Sequence, residues 1–339
     1  MRTERNGLGG VFVVAEVRRS GIHSCTLELV SKARELADAR GREVTAIVLR
    51  SPSEEPVEPL FRHGADRILL VEDERLGSLN AEVHSRIVAH LIGKGDAEIV
   101  LAPATTTGRT LLPAVAALIH TGLTADCTGL EIDAETGLLL QTRPAIGGNV
   151  IATIKTPDHL PQMATVRPKT FPVAPPQDRL GRVERPLLDE SLFCTSVVCL
   201  GEESVEGEEV DIQGLDVIVS GGKGLKRPEG FRLLQELADL LEGAVGASRP
   251  TVEAKWISYP HQVGLSGKVV APRIYLAAGI SGAVQHLAGM QTAETIIAVN
   301  KDPEAPLFRV ADVALCGDLY EILPRLIDAI RREKEERHD

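Results

Sequence analysis

Short apolar runs alternate along the first half of the chain with longer segments whose apolar residues recur at helical spacing. The runs GVFVVAEV, EVTAIVLR, DRILLVE and EIVLAP occupy residues 10–17, 43–50, 66–72 and 98–103 and are typical of buried strands. Helices are predicted between them over residues 24–39, around Leu60 and Phe61, over 79–95 and over 104–122. Strands that alternate with helices predict a parallel sheet covered by helices on both faces.

The pattern changes in the middle of the chain. Residues 136–157, TGLLLQTRPAIGGNVIATIKTP, favour an antiparallel excursion that turns at Gly147 and Gly148. Residues 168–186 are rich in proline and arginine and suit an extended connector between domains. The next run, SLFCTSVVCL, covers residues 191–200 and predicts another strand.

An acidic stretch, GEESVEGEEVDIQGL at residues 201–215, interrupts the apolar pattern and is typical of a solvated helix or loop. A chain of 339 residues is long enough for two domains. The sequence therefore predicts a first α/β domain over residues 1–205, which includes the connector, and a second over residues 206–339.

The second half repeats the alternation of strands and helices. Strands are predicted over DVIVSGG, AVGAS, RIYLAAG, TIIAVN and VADVALCG, with an amphipathic helix over GFRLLQELADLLEGA. Ligands of such sheets bind outside the carboxyl ends of the strands. The polar and glycine residues at those ends are residues 221–224, Ser248, Arg249, residues 281–286, Asn300, Lys301 and Asp318.

Composition excludes several classes of protein. A net charge of −11 argues against nucleic acid or an anionic membrane as partner, and 3% aromatic residues leave few side chains on which bases could stack. No apolar run reaches the ~20 residues that a membrane span needs, and the start of the chain lacks a signal-peptide pattern. Five cysteines without a CxxC pair suit a reducing compartment, so a cytoplasmic location is expected.

Glycine and small residues are densest over residues 263–306. The strand RIYLAAG there ends at Gly279 and is followed, after Ser281 and Gly282, by the helix-like segment AVQHLAGM. A strand that breaks at glycine and leads into a helix directs free backbone N–H groups at one spot, with the positive end of the helix dipole behind them. This arrangement predicts a site for a phosphate or for an anionic cofactor ring.

The chain lacks two familiar nucleotide-binding motifs. GGKGLKRPEG supplies Gly222 and Gly224, but Arg227 stands where the third glycine of a dinucleotide fingerprint belongs. Neither Lys223 nor Lys268 is followed by the serine or threonine of a phosphate-binding P-loop. A third candidate, the run from Thr105 to Gly108, fits ordinary helix capping better than anion binding.

Several motifs of the chain, taken in order, carry a family resemblance. They are QTRPAIGGN, PQMATVRP, VSGGKGLK, VGASR, QVGLSGK, GISGAVQHLAGM, AVNKDPEAP and CGDLYEILP, which begin at residues 141, 161, 219, 245, 262, 279, 298 and 316. Together they resemble the electron transfer flavoprotein alpha subunit, or FixB, family over nearly the whole chain. The resemblance implies two Rossmann-like α/β domains, each a mainly parallel sheet flanked by helices, with FAD bound in the second.

The resemblance also implies roles for individual residues. His286 would donate to the C2 carbonyl region of the flavin, Ser266 would hydrogen-bond near N5, and Arg249 would place a positive charge by the ring. Lys223 would add charge from the glycine turn. The rest of the implied cofactor-binding set is Ser248, Gln262, Val263, Gly264, Leu265, Ser281, Gly282, Ala283, Val284 and Gln285 along the ring, ribityl chain and pyrophosphate, and Asn300, Lys301, Asp318 and Leu319 along the remainder.

Each of these residues also has an ordinary structural interpretation. His286 fits a core histidine, Arg249 an ion pair and Asn300 a turn. The chain also departs from many family members, which have Gln-Thr in place of Leu265-Ser266 and arginine in place of Lys223. The serine keeps a hydroxyl near N5. Leu265 removes an amide, a change that is compatible with either a lower or a higher flavin potential.

The function implied by the resemblance is an electron carrier rather than an enzyme. It would accept electrons from dehydrogenases such as acyl-CoA dehydrogenases and pass them to a quinone reductase or another acceptor. The implied partner is a beta subunit that holds AMP, or a second FAD in electron-bifurcating members, and docks on the first domain. Two alternatives remain: a flavin-dependent oxidoreductase that uses His261 or Tyr259 on a small substrate, and a nucleotide-binding regulatory module.

Overall fold

The computed structural model describes residues 10–18, 21–144, 151–201 and 212–336. Contacts between residues divide the chain into two compact units, residues 1–202 and residues 203–339. Each unit contains its own sheet and its own buried cores. The predicted turn at Gly147 and Gly148 and most of the acidic stretch lie outside the described residues.

The first unit is built on seven parallel strands. Its strands are β1 (Gly10–Val14), β2 (Val17–Arg18), β3 (Gly21–Ile22), β4 (Val44–Arg50), β5 (Arg67–Glu72), β6 (Ala97–Pro103), β7 (Leu123–Cys127), β8 (Gly129–Ile132), β9 (Leu139–Pro144), β10 (Ile151–Ile154), β11 (Gln162–Val166) and β12 (Arg182–Glu184). Its helices are α1 (Ser24–Asp38), α2 (Glu58–Arg62), α3 (Ala81–Lys94) and α4 (Thr106–Leu118). The main sheet has the order β12-β5-β4-β1-β6-β11-β7, and every pair in it is parallel.

Alternate side chains of the central strand β1 enter two separate cores. Val11 and Val13 pack in one core with Leu29 of α1, and Phe12 and Val14 pack in the other with side chains of α3 and α4. A strand buried on both faces has no polar alternation, which is why β1 is a continuous apolar run. The prediction of a parallel sheet between two layers of helices is confirmed.

A second, antiparallel sheet of three strands lies beside the first. Its order is β10-β9-β8, and β9 pairs antiparallel with both neighbours. The predicted antiparallel excursion is therefore confirmed, although β8 adds a strand that the sequence pattern does not single out. The proline-rich residues 168–186 contribute β12 to the edge of the parallel sheet, where it pairs with β5.

The predicted strand over residues 191–200 is wrong. Glu190–Phe193 forms a single 3-10 turn, and the rest of the run has no strand up to residue 201. Phe193 is buried beneath the guanidinium of Arg75, which lies 3.9 Å from the ring centroid. The residues after Phe193 are exposed and pair with no neighbouring strand, so their strand-forming composition has no sheet to join.

A partly buried ion cluster at Asp66 ties α1 to the proline-rich stretch. Arg34 contacts one carboxylate oxygen at 2.6 Å, and Arg179 contacts the other. Burial alone would raise the pKa of Asp66, but hydrogen bonds from the Val44 N–H and from Arg179, with the charge of Arg34, lower it. A carboxyl group with a lowered folded-state pKa stabilises the fold above its ordinary pKa of 3.8, and this stabilisation is lost as pH falls.

Asp66→Asn should therefore lower the free energy of unfolding at pH 7 by about 1–3 kcal/mol, because it leaves two arginines without their carboxylate. The loss should shrink when unfolding is measured at a pH below the ordinary pKa of 3.8, because the carboxyl protonates there in the unfolded chain, and in the folded chain only as the pH falls through its lowered pKa. The measurement is chemical denaturation at both pH values. Glu43→Gln is the control, because its exposed ion pair with Arg182 should contribute little. An equal loss for Asp66→Asn at the two pH values would contradict the assignment.

The second unit repeats the architecture with five strands. Its elements are β13 (Val217–Gly221), α5 (Gly230–Leu240), β14 (Ala244–Ala247), α6 (Arg249–Glu253), β15 (Ile274–Ala278), α7 (Val284–Leu287), β16 (Thr295–Asn300), β17 (Val313–Cys316) and α8 (Leu319–Glu336). The order is β14-β13-β15-β16-β17, and all pairs are parallel. The predicted fold class is confirmed in this unit as well.

The core of the second unit depends on the predicted amphipathic helix. In α5, Phe231, Leu234, Leu237 and Ala238 are buried and pack with side chains of α8 against the sheet. Their spacing places them on one face of the helix. No helix in the described parts of the chain combines the length and apolarity needed to cross a membrane.

Candidate functional site

A half-open cavity of about 580 Å³ lies at the carboxyl ends of the strands of the second unit. Its lining comes from five segments of the chain. They are Lys223 and Gly224 after β13; Ser248 with Arg249, Pro250 and Glu253 of α6; Val263, Gly264, Leu265 and Ser266; Gly279, Ile280, Ser281, Gly282, Ala283, Gln285 and His286 after β15; and Asn300 and Asp302 at the end of β16. The chain forms β13 first, places β14 on one side and then β15 on the other. The cavity therefore lies at the point where the strand order reverses, which is where such sheets bind ligands.

Most of the predicted cofactor-binding residues line this cavity, and five do not. Those outside the lining are Gln262, Val284, Lys301, Asp318 and Leu319. Those that line it without being in the predicted set are Gly224, Pro250, Glu253, Gly279, Ile280 and Asp302. Gly224 is one of the strand-end residues identified from the sequence, and Gly279 ends the predicted strand RIYLAAG, so the same rule could have included it. Pro250 and Glu253 belong to a helix, α6, that the sequence pattern does not predict.

Main chain packed on main chain forms the floor of the cavity. A Cβ atom on Gly279, whose φ is +65°, would lie 2.8 Å from the Cα of Gly224. A Cβ atom on Gly282, whose φ is +94°, would lie 2.4 Å from the backbone nitrogen of Leu307. Only glycine fits both the space and the positive φ at these positions.

The segment after β15 presents unpaired backbone donors. Among the described groups, no hydrogen bond acceptor faces the N–H of Gly282, Ala283, Val284 or Gln285. The predicted helix over AVQHLAGM is much shorter than expected, since α7 is the single turn Val284–Leu287. One turn contributes little macrodipole, so local N–H groups rather than a long helix supply the positive potential.

His286 lies at the cavity wall with both ring nitrogens engaged. Its side chain is 6% exposed, its Nδ1 lies 3.1 Å from the Val263 carbonyl oxygen, and its Nε2 lies 3.0 Å from the Tyr275 hydroxyl. Burial lowers the pKa of His286 to about 4, against a smaller opposing effect of the Val263 carbonyl. The imidazole is therefore neutral, and it can donate to a ligand only through the nitrogen beside Val263.

Two cations and two carboxylates set the charge of the cavity. Arg249 pairs with Glu253 at 2.7 Å, and both side chains are largely exposed, so this i,i+4 pair contributes little to stability. The ammonium of Lys223 lies 4.3 Å from the centroid of the Trp256 ring, a cation–π contact that fixes the direction of the charge. Asp302 supplies the second carboxylate of the lining.

Hydrogen bonds from residues in and beside the lining hold the lining in place. Gln262 donates from Nε2 to the carbonyl oxygen of Ser266 at 3.0 Å and to its hydroxyl at 3.1 Å. The Tyr259 hydroxyl donates to the same carbonyl at 2.9 Å. Asn300 donates to the carbonyl oxygen of Ile280 at 2.9 Å. Gln262 thus holds the loop that contains Ser266, and Asn300 holds the loop that contains Ile280.

The remaining predicted residues have structural partners. Asp318 pairs with Lys301 at 2.6 Å and accepts from the backbone N–H of Tyr320 at the start of α8; the Lys301 contact is the main cause of the lowered pKa of Asp318. Leu319 is buried in the core beside α5. These contacts do not direct any of the three predicted residues into the cavity.

Neither proposed acid–base residue of the oxidoreductase alternative lines the cavity. Nδ1 of His261 lies 2.7 Å from the Val245 carbonyl oxygen, and the Tyr259 hydroxyl donates to the Ser266 carbonyl. No cluster of three or more His, Cys, Asp or Glu side chains suited to a metal ion occurs in the described residues.

The candidate at the start of α4 is a helix cap, as the sequence favours. The Thr105 hydroxyl accepts from the backbone N–H of Gly108 at 3.2 Å and donates to the buried carboxylate of Glu16. A protein carboxylate therefore already lies at this helix terminus. An external phosphate would meet a negative charge there.

Together, the fold and the cavity define an α/β protein with a nucleotide-type site at the switch point of its second sheet. The glycine floor and the free N–H groups fit the pyrophosphate of a dinucleotide, and the two cations beside them fit a ring that becomes negative on reduction. Comparison with known proteins identifies the family.

Residues 11–190 match the family model "Electron transfer flavoprotein domain", and residues 211–291 match "Electron transfer flavoprotein FAD-binding domain". The chain is 44% identical over 332 residues to the electron transfer flavoprotein subunit alpha of Thermoanaerobacterium thermosaccharolyticum, with 97% of this chain and 100% of the relative covered. It is 39% identical over 333 residues to protein FixB of Azotobacter vinelandii, with 95% and 91% covered. It is 38% identical over 360 residues to the acryloyl-CoA reductase electron transfer subunit beta of Anaerotignum propionicum, with 97% of both chains covered.

The chain belongs to the electron transfer flavoprotein alpha subunit family. The resemblance found in its motifs is thereby confirmed. Its function is that of an electron transfer flavoprotein alpha subunit, and the family's FAD-binding domain lies in its second half.

Proposed function

We propose that the cavity of the second unit holds FAD and that the chain carries electrons between a donor dehydrogenase and an acceptor oxidoreductase. The donor class is a dehydrogenase such as an acyl-CoA dehydrogenase, and the acceptor is a quinone reductase or a related protein. The observation that supports the proposal is the cavity at the switch point of the sheet, whose lining includes most of the predicted cofactor residues.

The residues of the cavity suit different parts of the cofactor. When bound, FAD supplies reversible one-electron and two-electron chemistry, and its reduced ring carries negative charge. Arg249 and Lys223 would offset that charge, and the N–H groups from Gly282 to Gln285 would bind phosphate oxygens. Ser266, held by Gln262, would present its hydroxyl to the ring.

Leu265 distinguishes this cavity from many in the family. Its side chain is 52% exposed in the lining, and its backbone N–H donates to the Gln285 carbonyl at 2.9 Å. An apolar side chain beside a flavin offers no hydrogen bond, so the side-chain hydrogen bonds to the ring would come from Ser266 and His286. We propose that this difference sets the potential and bears on whether the complex bifurcates electrons.

The remaining parts of the proposal concern the partner and the location. Residues 1–205 would form the scaffold on which the beta subunit docks, and residues 206–339 would bind FAD. The beta subunit would hold AMP, or a second FAD in a bifurcating complex. The acidic composition and the five free cysteines suit a cytoplasmic protein.

The test is to purify the chain with its beta subunit and count the bound nucleotides. One FAD and one AMP per heterodimer would indicate a simple carrier, and two FAD without AMP would indicate bifurcation. Stopped-flow mixing should show reduction by a partner dehydrogenase and none by a free acyl-CoA. A folded heterodimer that stays colourless and takes up no FAD would overturn the proposal, and rapid reduction by a small metabolite would favour the oxidoreductase alternative.

A further inference from the structure

Tyr275 is a buried residue that neither the motifs nor the cavity lining includes. It lies in β15, is 0% exposed and is the largest of the fully buried side chains. Its hydroxyl lies 3.0 Å from Nε2 of His286, and the two rings are tilted by 56° with centroids 6.1 Å apart. A buried hydroxyl needs a partner, and this one finds it in a histidine that reaches the cavity.

The geometry fixes the protons of this contact. A backbone carbonyl can only accept a hydrogen bond, so the Nδ1 that faces Val263 must carry the hydrogen. Nε2 of a neutral imidazole is then an acceptor, and the Tyr275 hydroxyl must be the donor. Burial supports both assignments, because it lowers the pKa of His286 and raises that of Tyr275.

We propose that Tyr275 is a positioning residue for the redox site: its hydroxyl holds the far nitrogen of His286, so that the ring presents the Nδ1–H edge to the cavity. The inference rests on the proposed function, since it assumes that His286 serves the flavin. Val263, which shares that hydrogen, itself lines the cavity. A ligand oxygen that accepts from Nδ1–H would share this hydrogen with the Val263 carbonyl or displace that contact.

The sequence of contacts separates two tasks. Val263 selects which nitrogen carries the hydrogen, and Tyr275 restrains the orientation of the ring from the opposite side. Without the hydroxyl, Nε2 would be a buried acceptor with no donor, and the ring would be free to turn towards water in the cavity. Tyr275 thus acts through His286 and not on the cofactor.

The test uses the heterodimer labelled with 15N-histidine. Long-range 1H–15N spectra at pH 7 should show the His286 hydrogen on Nδ1 and an unprotonated, hydrogen-bonded Nε2, with the resonance assigned by its absence in His286→Ala. Tyr275→Phe should move the Nε2 resonance. It should also lower the equilibrium constant for the first one-electron reduction about fivefold, equal to a potential more negative by roughly 40 mV.

Tyr320→Phe is the matched control, because its hydroxyl donates to the Leu225 carbonyl at 2.6 Å and has no contact with His286 among the described residues. It should leave both the resonance and the potential unchanged. A hydrogen on Nε2, a charged ring at pH 7, or a Tyr275→Phe variant with the resonance and potential of Tyr320→Phe would overturn the inference.

Failure of the proposed function would give a different result. In that case the heterodimer would take up no FAD, while the spectra of the same preparation would still report the contact between Tyr275 and His286. If Tyr275→Phe does not assemble, the wild-type spectra still test the contact, because an Nε2 resonance at the position of an imidazole nitrogen that accepts no hydrogen bond would overturn the inference.

Discussion

Gly282→Ala should abolish FAD binding and lower the free energy of unfolding of the second unit by about 2–5 kcal/mol. Gly282 has φ +94°, and a Cβ atom there would lie 2.4 Å from the backbone nitrogen of Leu307. Because the neighbour is main chain, it cannot move aside as a flexible side chain could. The loop between β15 and α7 would have to shift, and its N–H groups would leave the cavity.

The measurement is chemical denaturation of the heterodimer, followed by circular dichroism and by flavin absorbance. Gly93→Ala is the control, since Gly93 is an exposed position of α3 where a Cβ atom meets nothing within 4 Å. That substitution should be neutral or stabilising by about 0.5–1 kcal/mol. If Gly282→Ala bound FAD and unfolded at the same denaturant concentration as Gly93→Ala, the backbone floor would not have the role described.

His286→Ala should make the first one-electron potential of the flavin more negative by roughly 60–130 mV. A hydrogen bond to a charged group contributes about 1.5–3 kcal/mol, and a tenfold change in a one-electron equilibrium is about 59 mV. The side chain removed is the neutral imidazole at the cavity wall, whose Nδ1–H is its one donor. Its loss should destabilise the negatively charged, reduced flavin more than the oxidised flavin.

Spectroelectrochemical titration of the heterodimer measures this shift. His261→Ala is the matched control, because His261 bonds the Val245 carbonyl and does not line the cavity. Its potential should remain at the wild-type value. Equal potentials for wild type and His286→Ala would remove His286 from the flavin site while leaving the cavity as the place of binding.

The parallel sheets could be predicted because their central strands are buried on both faces. β1, β4, β6 and β16 are continuous apolar runs, and their bounds agree with the predicted ones to within three residues. The apolar pattern does not predict β11 and β12. QMATV is short and mixed in polarity, and RVE is a short, largely exposed edge strand without an apolar run. The strand predicted over residues 191–200 is wrong for the opposite reason. Its composition favours a strand, but no partner strand lies beside it.

The pattern of strands and helices predicts the part of the candidate site that lies at strand ends. Ser248, Asn300 and the loop from Ser281 to His286 follow directly from where strands stop. Glu253 could not be found this way, because it reaches the cavity from one turn along α6. Tyr275 could not be found either, since an aromatic residue within a buried strand has the same pattern whether or not it bonds a histidine.

The glycine floor also has a consequence for engineering. Gly224, Gly279 and Gly282 contribute backbone alone, so the base of the pocket is chemically uniform and indifferent to side-chain exchange around it. The side chains that could tune electron affinity, such as Leu265 and Arg249, belong to other segments of the lining, Arg249 to the start of α6. We therefore expect a library confined to those segments to vary the midpoint potential while the glycine base keeps the cofactor bound.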